Sequence, residues 1–283
     1  MYIIKTKIEL KNLVAQKKQE GHTIGFVPTM GALHNGHASL IDTALSKHSC
    51  VVVSIFVNPT QFNNAHDLEK YPRTLDKDAH FLAPYDKQLI IYAPSPSEVY
   101  GQDISATSYN FGGIESVMEG EHRPGHFDGV GTVLNLLFRQ VEPDAAFFGE
   151  KDFQQLQIVK KLVQIEKLPL KIEGCAIHRQ KDGLAMSSRN SRLTNEQLQA
   201  APFIYASLEN AQKQFGTKSA RELKKIIAAA YAQNEVLNLE YFEIANVKNL
   251  KPLSRKRNNQ KYRAFIAVFA GEIRLIDNIA LNY

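Results

Sequence analysis

Short runs of Val, Ile and Phe alternate with helical patterns over the first two-thirds of this 283-residue chain, and this alternation limits its fold most. Several runs are apolar throughout, as expected of strands that are covered on both faces of a sheet. The predicted strands are residues 24–27, 50–57, 88–93, 145–148 and 172–177. The predicted helices are residues 6–19, 38–47, 75–83, 129–141 and 152–166. We therefore predict an α/β fold with a Rossmann-like, doubly wound parallel sheet.

The pattern changes near residue 180. Helices are predicted at 194–215 and 219–233, opened by the capping patterns Thr194-x-x-Gln197 and Ser219-x-x-Glu222. Strands are predicted at 239–247, 262–270 and 273–276. The sequence thus predicts two domains, a Rossmann-like domain of residues 1–178 and a smaller C-terminal α+β domain of residues 179–283.

Composition excludes several classes of protein. Hydrophobic residues make up 44% and charged residues 22% of the chain, which is typical of globular proteins. No apolar run approaches the ~20 residues that a membrane span needs, so we expect no membrane partner. The first residues lack an apolar signal core, which predicts a cytoplasmic location. Cys50 and Cys175 form no metal-ligand pattern, and we expect free thiols there.

The net charge of +5 permits nucleic-acid binding but does not require it. The densest basic cluster lies at residues 248–261 and includes Arg255, Lys256 and Arg257. A nucleic-acid groove would interleave basic and aromatic residues on one face, and this cluster does not. We therefore interpret it as a solvated turn and expect no nucleic-acid partner. A positive chain also suits an enzyme whose substrates are anions.

The segment from Pro28 to His37 joins the first predicted strand to a helix. Such a junction presents backbone N–H groups and the positive end of a helix dipole to an anion. His34 and His37 add donors that suit phosphates, which gain charge during reaction. The pattern His-x-Gly-His resembles the HIGH signature of nucleotidyl-transferring enzymes. The alternative is a glycine turn that carries two surface histidines.

Two further segments carry polar residues next to predicted elements. Asn58 and Gln61 follow the second predicted strand, and their amides can orient a hydroxylated carboxylate. An Asn-Pro turn with an incidental Gln is the alternative. Arg123 and His126 precede a predicted helix and either contact an anion or pair with neighbouring glutamates.

Two later segments complete the set of candidate sites. Gly149 permits a tight turn after a strand, Lys151 is placed to contact a phosphate, and Gln155 follows one helical turn later. A structural role of Lys151 and Asp152 at the start of the helix is the alternative. Residues 182–190 resemble the KMSKS signature, the usual partner of HIGH, in which a mobile loop closes over ATP phosphates. A polar hinge between domains is the alternative for this loop, and both roles can hold together.

In this order, the segments 28–37, 57–61, 71–74, 123–130, 148–155 and 182–190 resemble the pantoate–β-alanine ligase family. The resemblance extends to residues 274–278 and so covers essentially the whole chain. It implies that ATP activates pantoate as an enzyme-bound pantoyl adenylate, from which the amine of β-alanine displaces AMP to give pantothenate. It also implies a homodimer, Mg²⁺ bound with the phosphates, and a C-terminal domain that acts as a lid.

The resemblance assigns the site residues by position. The catalytic set is His37, His34, Lys151, Ser187, Ser188 and Arg189. The ATP-binding set is Met30, Gly31, Ala32, Leu33, His34, Asn35, Gly36, His37, Gly149, Glu150, Lys151, Asp152, His178, Met186, Ser187, Ser188 and Arg189. Gln61, Gln155 and Asn58 are assigned to pantoate, Gln61 also facing β-alanine, and Asp78 is a candidate magnesium ligand.

Three positions depart from the family pattern. His178 replaces an apolar residue near the adenine, Leu136 stands where a lysine is common, and Lys77 stands where an acidic residue can occur. The main alternative is another enzyme with a HIGH signature, such as a phosphate-directed nucleotidylyltransferase, which would need neither the Gln61 and Gln155 pocket nor β-alanine. A nucleic-acid-binding protein that uses the basic C-terminal region is the other.

Overall fold

The computed structural model describes residues 2–62 and 68–281 and divides the chain into two compact units. The first unit contains the chain up to Glu115 together with Glu119–Glu150 and Gln155–Ala176. The second unit contains Ser116–Met118, Lys151–Gln154 and the chain from Ile177 onward. It therefore includes two short segments that precede the domain boundary predicted from the sequence.

The first unit is built on six strands: β1 Tyr2–Ile4, β2 Ile24–Thr29, β3 Cys50–Ile55, β4 Leu89–Tyr92, β5 Ala145–Gly149 and β6 Lys171–Cys175. All pairings are parallel, and the strand order is β1-β4-β3-β2-β5-β6. The order reverses between β2 and β5, which pair at Gly25 and Ala145. In open α/β sheets, ligands bind at the carboxyl ends of the strands beside such a switch point.

The helices that connect these strands cover both faces of the sheet, as a doubly wound fold requires. They are α1 Lys7–Gln19, α2 Asn35–Leu45, α3 Leu75–Leu82, α4 Pro96–Tyr100, α5 Glu119–His122 and α6 His126–Val141, with α7 Phe153–Ile165 beginning in the second unit. On one face, Ile41 of α2 and Leu82 of α3 pack with Val27 and Phe147 of the sheet. On the other, Phe138 of α6 contacts Phe26 and Phe148 edge to face.

The second unit is built on an antiparallel sheet in the order β7-β8-β9, with β7 Leu237–Asn246, β8 Tyr262–Ala270 and β9 Ile273–Leu281. Its helices are α8 Asn195–Ala200, α9 Phe203–Gln214 and α10 Ala220–Ala232. Leu208 of α9 and Ile227 of α10 lie in one buried cluster with Ile266 of β8. The prediction of an α/β fold with a smaller α+β region is confirmed.

Two element predictions were wrong, and one strand was not predicted. The helix predicted at 194–215 is two helices because Pro202, which lacks a backbone N–H, interrupts it. Strand β9 continues to Leu281, beyond the predicted end at 276, although Asp277 and Asn278 interrupt its apolar pattern. Strand β1 was not predicted because three residues carry too little periodicity. The capping patterns at Thr194 and Ser219 are confirmed. None of the helices in the described part of the chain is long and apolar enough to span a bilayer.

Candidate active site

The loop after β2 adopts an unusual backbone conformation that a buried carboxylate holds in place. Gly31 and Ala32 have φ values of +79° and +50°, so two successive residues lie in the left-handed region. Asp78 of α3, which is 2% exposed, accepts the backbone N–H groups of Ala32 at 3.1 Å and Leu33 at 2.7 Å. Its Oδ2 also accepts the Thr74 hydroxyl at 3.2 Å. Asp78 therefore anchors the loop that precedes the two histidines.

Both histidines are fixed by backbone hydrogen bonds at the start of α2. The helix begins at Asn35, three residues before the predicted start, so His34 is its N-cap and His37 lies in its first turn. The His34 Nδ1 accepts the Gly36 N–H at 3.1 Å, and the His37 Nδ1 accepts the His34 N–H at 3.2 Å. A nitrogen that accepts an N–H carries no proton, so each neutral ring holds its proton on Nε2. The rings lie 4.0 Å apart between centroids.

Gln61 lies at the end of a 3₁₀ turn, Pro59–Gln61, that follows β3. Its Nε2 donates to the Met30 Sδ at 3.1 Å, which brings the loops after β2 and β3 together. Its Oε1 accepts from Asn58 Nδ2 at 3.0 Å. Gln61 is half-buried, which leaves its side chain partly accessible to a small ligand.

Asn58 is 1% exposed, and its side-chain amide forms hydrogen bonds with other groups of the protein. Its Nδ2 donates to Gly129 O at 3.2 Å, and its Oδ1 accepts from the hydroxyl groups of Thr60 and Tyr100. Burial raises the pKa of Tyr100, so this hydroxyl stays protonated at neutral pH. These contacts indicate that Asn58 positions Gln61 rather than contacting the substrate itself.

The start of α6 holds Gln61 from the other side. His126 is 5% exposed and donates from Nδ1 to Gln61 O at 2.9 Å, and Arg123 Nη2 donates to the same oxygen at 3.3 Å. A Cβ atom at Gly129 would lie 2.3 Å from Thr60 O, closer than real contacts allow. Sequence reasoning left these basic residues either to an anion or to neighbouring glutamates and missed this packing, for which a glycine within a helical pattern was the available signal.

The segment after β5 divides between the two units. Gly149 ends the strand and Glu150 belongs to the first unit, whereas Lys151 and Asp152 belong to the second. The Lys151 Nζ lies 3.6 Å from Asp152 Oδ1, and Lys151 O accepts from Asn278 Nδ2 at 2.7 Å. Gln155 lies in the third position of α7 and is half-buried.

A short hairpin brings His178 to the KMSKS-like segment. The Met186 N–H donates to His178 O at 3.0 Å, and Arg179 bridges to Ala185. His178 is an exposed residue, and its backbone oxygen makes the hydrogen bond with Met186. Ser187 caps a 3₁₀ turn, Ser188–Arg192, by accepting the Arg189 N–H at 3.3 Å. Four assigned residues, 186–189, thus form one half-buried turn in the second unit.

A sequence profile described as pantoate-beta-alanine ligase matches residues 2–280. The chain belongs to the pantoate-beta-alanine ligase family. Pantothenate synthetase from Flavobacterium psychrophilum is 51% identical over 282 residues, and that from Christiangramia forsetii is 50% identical over 282 residues. Both alignments cover 100% of this chain and of the relative.

Solved structures agree with this assignment. Pantothenate synthetase from Thermus thermophilus superposes with a TM-score of 0.90 at 36% identity, covering 99% of each chain. The pantoate-beta-alanine ligase from Francisella tularensis superposes with a TM-score of 0.82 at 37% identity, covering 99% of this chain and 97% of that one. That structure was solved in complex with beta-gamma ATP and beta-alanine.

This ligase is therefore an enzyme that joins pantoate to β-alanine, and the alternative functions considered from the sequence are set aside. In the first unit, the structure brings Met30, Asn58 and Gln61 into one connected group. In the second unit it connects His178 with Met186 and holds the backbone of Lys151. Of the departures, Leu136 is half-buried in α6 and Lys77 is exposed on α3.

Proposed function

We propose that this ligase condenses pantoate with β-alanine in two steps that consume ATP. In the first step, a pantoate carboxylate oxygen attacks the α-phosphorus of ATP and pyrophosphate leaves. In the second, the β-alanine amine attacks the acyl carbon of pantoyl adenylate, AMP leaves, and pantothenate forms after the amine loses a proton. The Francisella tularensis relative, solved with beta-gamma ATP and beta-alanine, supports these two substrates.

The observation that carries the first step is the locked histidine pair at the N-terminus of α2. Since both Nδ1 atoms accept backbone N–H groups, His34 and His37 each carry the ring proton on Nε2, a kind of donor that suits phosphate oxygens. The positive end of the helix dipole adds to this favourable field. Donors that are fixed before the reaction stabilise charge that develops on departing pyrophosphate without further reorganisation. We assign the main catalytic role to His37.

We propose that Gln61 and Gln155 bind pantoate and that Gln61 also faces β-alanine. Amide groups can donate to a carboxylate and accept from hydroxyls, and they do not neutralise the carboxylate that must attack. The contacts of Asn58 support a role in holding the Gln61 side chain rather than a direct contact with pantoate.

The remaining nucleotide contacts are assigned to two segments. We propose that residues 149–152 hold ATP, with Lys151 as a point charge on a phosphate. Residues 186–189 then supply hydroxyl groups from Ser187 and Ser188 and the cation of Arg189, with His178 beside them through its backbone. The C-terminal domain is proposed to act as a lid, which would keep water from the reactive adenylate.

Among the described residues, no group of three or more His, Cys, Asp or Glu side chains is placed to hold a metal ion. Asp78, the candidate from the sequence, already uses both carboxylate oxygens on Ala32, Leu33 and Thr74. Mg²⁺ commonly keeps several waters and binds through substrate phosphates. We therefore propose that Mg²⁺ enters as its complex with ATP.

Family resemblance supports three further proposals. We propose that the ligase works as a homodimer, that it acts in the cytoplasm in the biosynthesis of pantothenate, and that it has neither a nucleic-acid nor a membrane partner. Size-exclusion chromatography with light scattering measures the first of these directly.

Exchange of labelled pyrophosphate into ATP tests the proposed reaction because it reports the first step alone. Exchange should require pantoate and Mg²⁺ and should proceed without β-alanine. Rapid AMP formation should need β-alanine as well. Pyrophosphate exchange at a rate that does not depend on pantoate would show that the activated carboxylate belongs to another molecule.

A further inference from the structure

The middle of β9 carries two buried polar residues that the proposed reaction does not use. Asp277 is 4% exposed and Asn278 is 1% exposed. Burial of a carboxylate or an amide is unfavourable unless partners compensate for the lost water. The partners of these two residues therefore explain their presence in the sheet.

Asp277 holds Arg179 in a two-pronged ion pair. Arg179 Nη1 lies 2.6 Å from Asp277 Oδ2, and Arg179 Nη2 lies 2.9 Å from Oδ1. The same guanidinium donates to Gly183 O at 3.0 Å and Asn278 O at 3.3 Å. It also stacks on the Tyr205 ring, 3.8 Å from its centroid. A rigid fork with this many partners fixes the path of residues 179–183.

The loop that Arg179 fixes leads directly into the KMSKS-like turn. Gly183 has a φ of +92°, and a Cβ atom there would lie 2.4 Å from the Tyr205 ring, so the loop packs closely on α9. Only Leu184 and Ala185 separate Gly183 from Met186. The position of residues 186–189 therefore depends on the Arg179–Asp277 pair.

Asn278 holds the other nucleotide segment of the second unit. Its Nδ2 donates to Lys151 O at 2.7 Å, and its Oδ1 accepts from Arg263 Nη1. Arg263 in turn stacks on the ring of Phe153, 4.1 Å from its centroid. The backbone at Lys151 is thus held by a residue 127 positions later in the chain.

We propose that Asp277 and Asn278 are positioning residues that set the spacing between Lys151 and the 186–189 turn, and thereby the affinity for the ATP phosphates. This inference rests on the proposed function of those segments. Two adjacent residues on one rigid strand hold both segments, so neither must be ordered when ATP binds. Preorganisation of this kind raises affinity because less conformational entropy is lost on binding.

The test compares variants in the pyrophosphate-exchange assay, with KM measured separately for ATP and pantoate. Arg179→Lys keeps a positive charge beside Asp277 but loses the fork, and Asn278→Ser shortens the reach to Lys151 O. We expect each to raise the KM for ATP about tenfold while the KM for pantoate changes by less than about twofold. Asn278→Ser keeps the Arg179–Asp277 ion pair. If Arg179→Lys does not fold, the KM for ATP of Asn278→Ser therefore still tests the proposal.

A matched control lies on the same strand. Arg274 of β9 donates from Nε to Glu240 at 2.9 Å, in an ion pair whose side chains are 18% and 17% exposed. Glu240→Gln removes this pair and should lower the melting temperature while it leaves the KM for ATP unchanged. A KM for ATP that rises equally in the control, or together with the KM for pantoate, would show a general structural role and overturn the inference.

The wild-type enzyme separates this inference from the proposed function. Wild-type exchange that does not depend on pantoate would overturn the proposed function, and the inference with it. Normal wild-type exchange with an unchanged KM for ATP in both variants would overturn the inference alone. A double variant, Arg179→Lys with Asn278→Ser, should show less than the product of the single effects, because one device serves both segments.

Discussion

The two units hold their candidate nucleotide-binding segments by different physical means. In the first unit, the segment follows β2, and its histidines and Asp78 bond to backbone N–H groups of the same loop and helix start. In the second, the 186–189 turn follows a hairpin whose Arg179 reaches Asp277, 98 residues later in the chain. The histidine contacts are local in sequence, Asp78 reaches back 45 and 46 positions, and the Arg179–Asp277 pair spans most of its unit.

This difference has consequences for substitution. Contacts that are local in sequence are lost when one side chain or one glycine of the segment changes. The strand end and the helix dipole then stay in place, but they no longer face the correct atoms of the ligand. A long-range device fails when its anchor strand changes, even though that strand contributes no ligand contact.

His37→Ala should lower the rate of pantoate-dependent pyrophosphate exchange about 10²- to 10⁴-fold, since general acid and electrostatic donors contribute effects of this size. The reason is loss of the Nε2–H donor at the start of α2. His37→Asn is the matched control, because its side-chain oxygen can still accept a backbone N–H but offers no donor in the same place. It should recover thermal stability without recovering exchange. Exchange in His37→Ala within about tenfold of wild type would contradict the assignment.

Gly129→Ala should raise the KM for pantoate and destabilise the first unit by about 1–3 kcal/mol, the usual range for overpacking. The added methyl would lie 2.3 Å from Thr60 O and 2.8 Å from Gln61 Cα, so the turn that carries Gln61 must move. Gly131→Ala on the same helix is the control, because its methyl would meet the Tyr109 and Phe111 rings at 3.0–3.1 Å instead. Equal values of the pantoate KM in the two variants would show that α6 does not position Gln61.

Asp78→Asn should raise the KM for ATP several-fold and cost about 1–3 kcal/mol of stability, since one buried backbone N–H loses its acceptor. The Mg²⁺ concentration that gives half-maximal exchange should not change, because Asp78 serves the loop and not the metal. Titration of exchange with MgCl₂ at saturating ATP measures this value. A strong rise in the Mg²⁺ requirement would support the role of metal ligand that the sequence indicated.

The contrast between the units also explains what the sequence could predict. The histidine pair, Gln61 and the strand ends could be found because each motif lies within a few residues of an apolar strand. The backbone contacts of Asp78 could not be predicted because its partners lie 45 and 46 positions away, and an acidic side chain near a phosphate motif resembles a metal ligand. The prediction ended β9 before Asp277 and Asn278 because both residues are polar. That polar partners allow these side chains to be buried cannot be inferred from hydropathy.

The smallest expected effect concerns His48, which tests whether the first unit responds to pH through a group outside the site. Its ring meets Phe147 edge to face, 5.7 Å between centroids, and its Nδ1 is buried with no hydrogen-bond partner among the described residues. Burial lowers the pKa of His48; Lys47 also lowers it, while Asp144 and Glu173 oppose the change. The unfolded chain therefore takes up the proton first, near pH 6.5.

From this sign, the stability that His48 contributes is present above about pH 6.5 and is lost as the pH falls toward the lower folded-state pKa. The His48→Phe variant keeps a ring against Phe147 and removes the titration. Between about pH 7 and pH 5, the melting temperature of the wild type should fall by about 1–3 °C more than that of the variant. Calorimetry at several pH values measures the difference. The control variant is His80→Phe, on α3 and outside the contact with Phe147. Its melting temperature should change with pH as that of the wild type does. If the melting temperatures of the wild type and His48→Phe change with pH in parallel, a group other than His48 causes the acid sensitivity of this unit. A difference confined to the first unit's transition would show that the two units differ in thermodynamic response as well as in how they hold their loops.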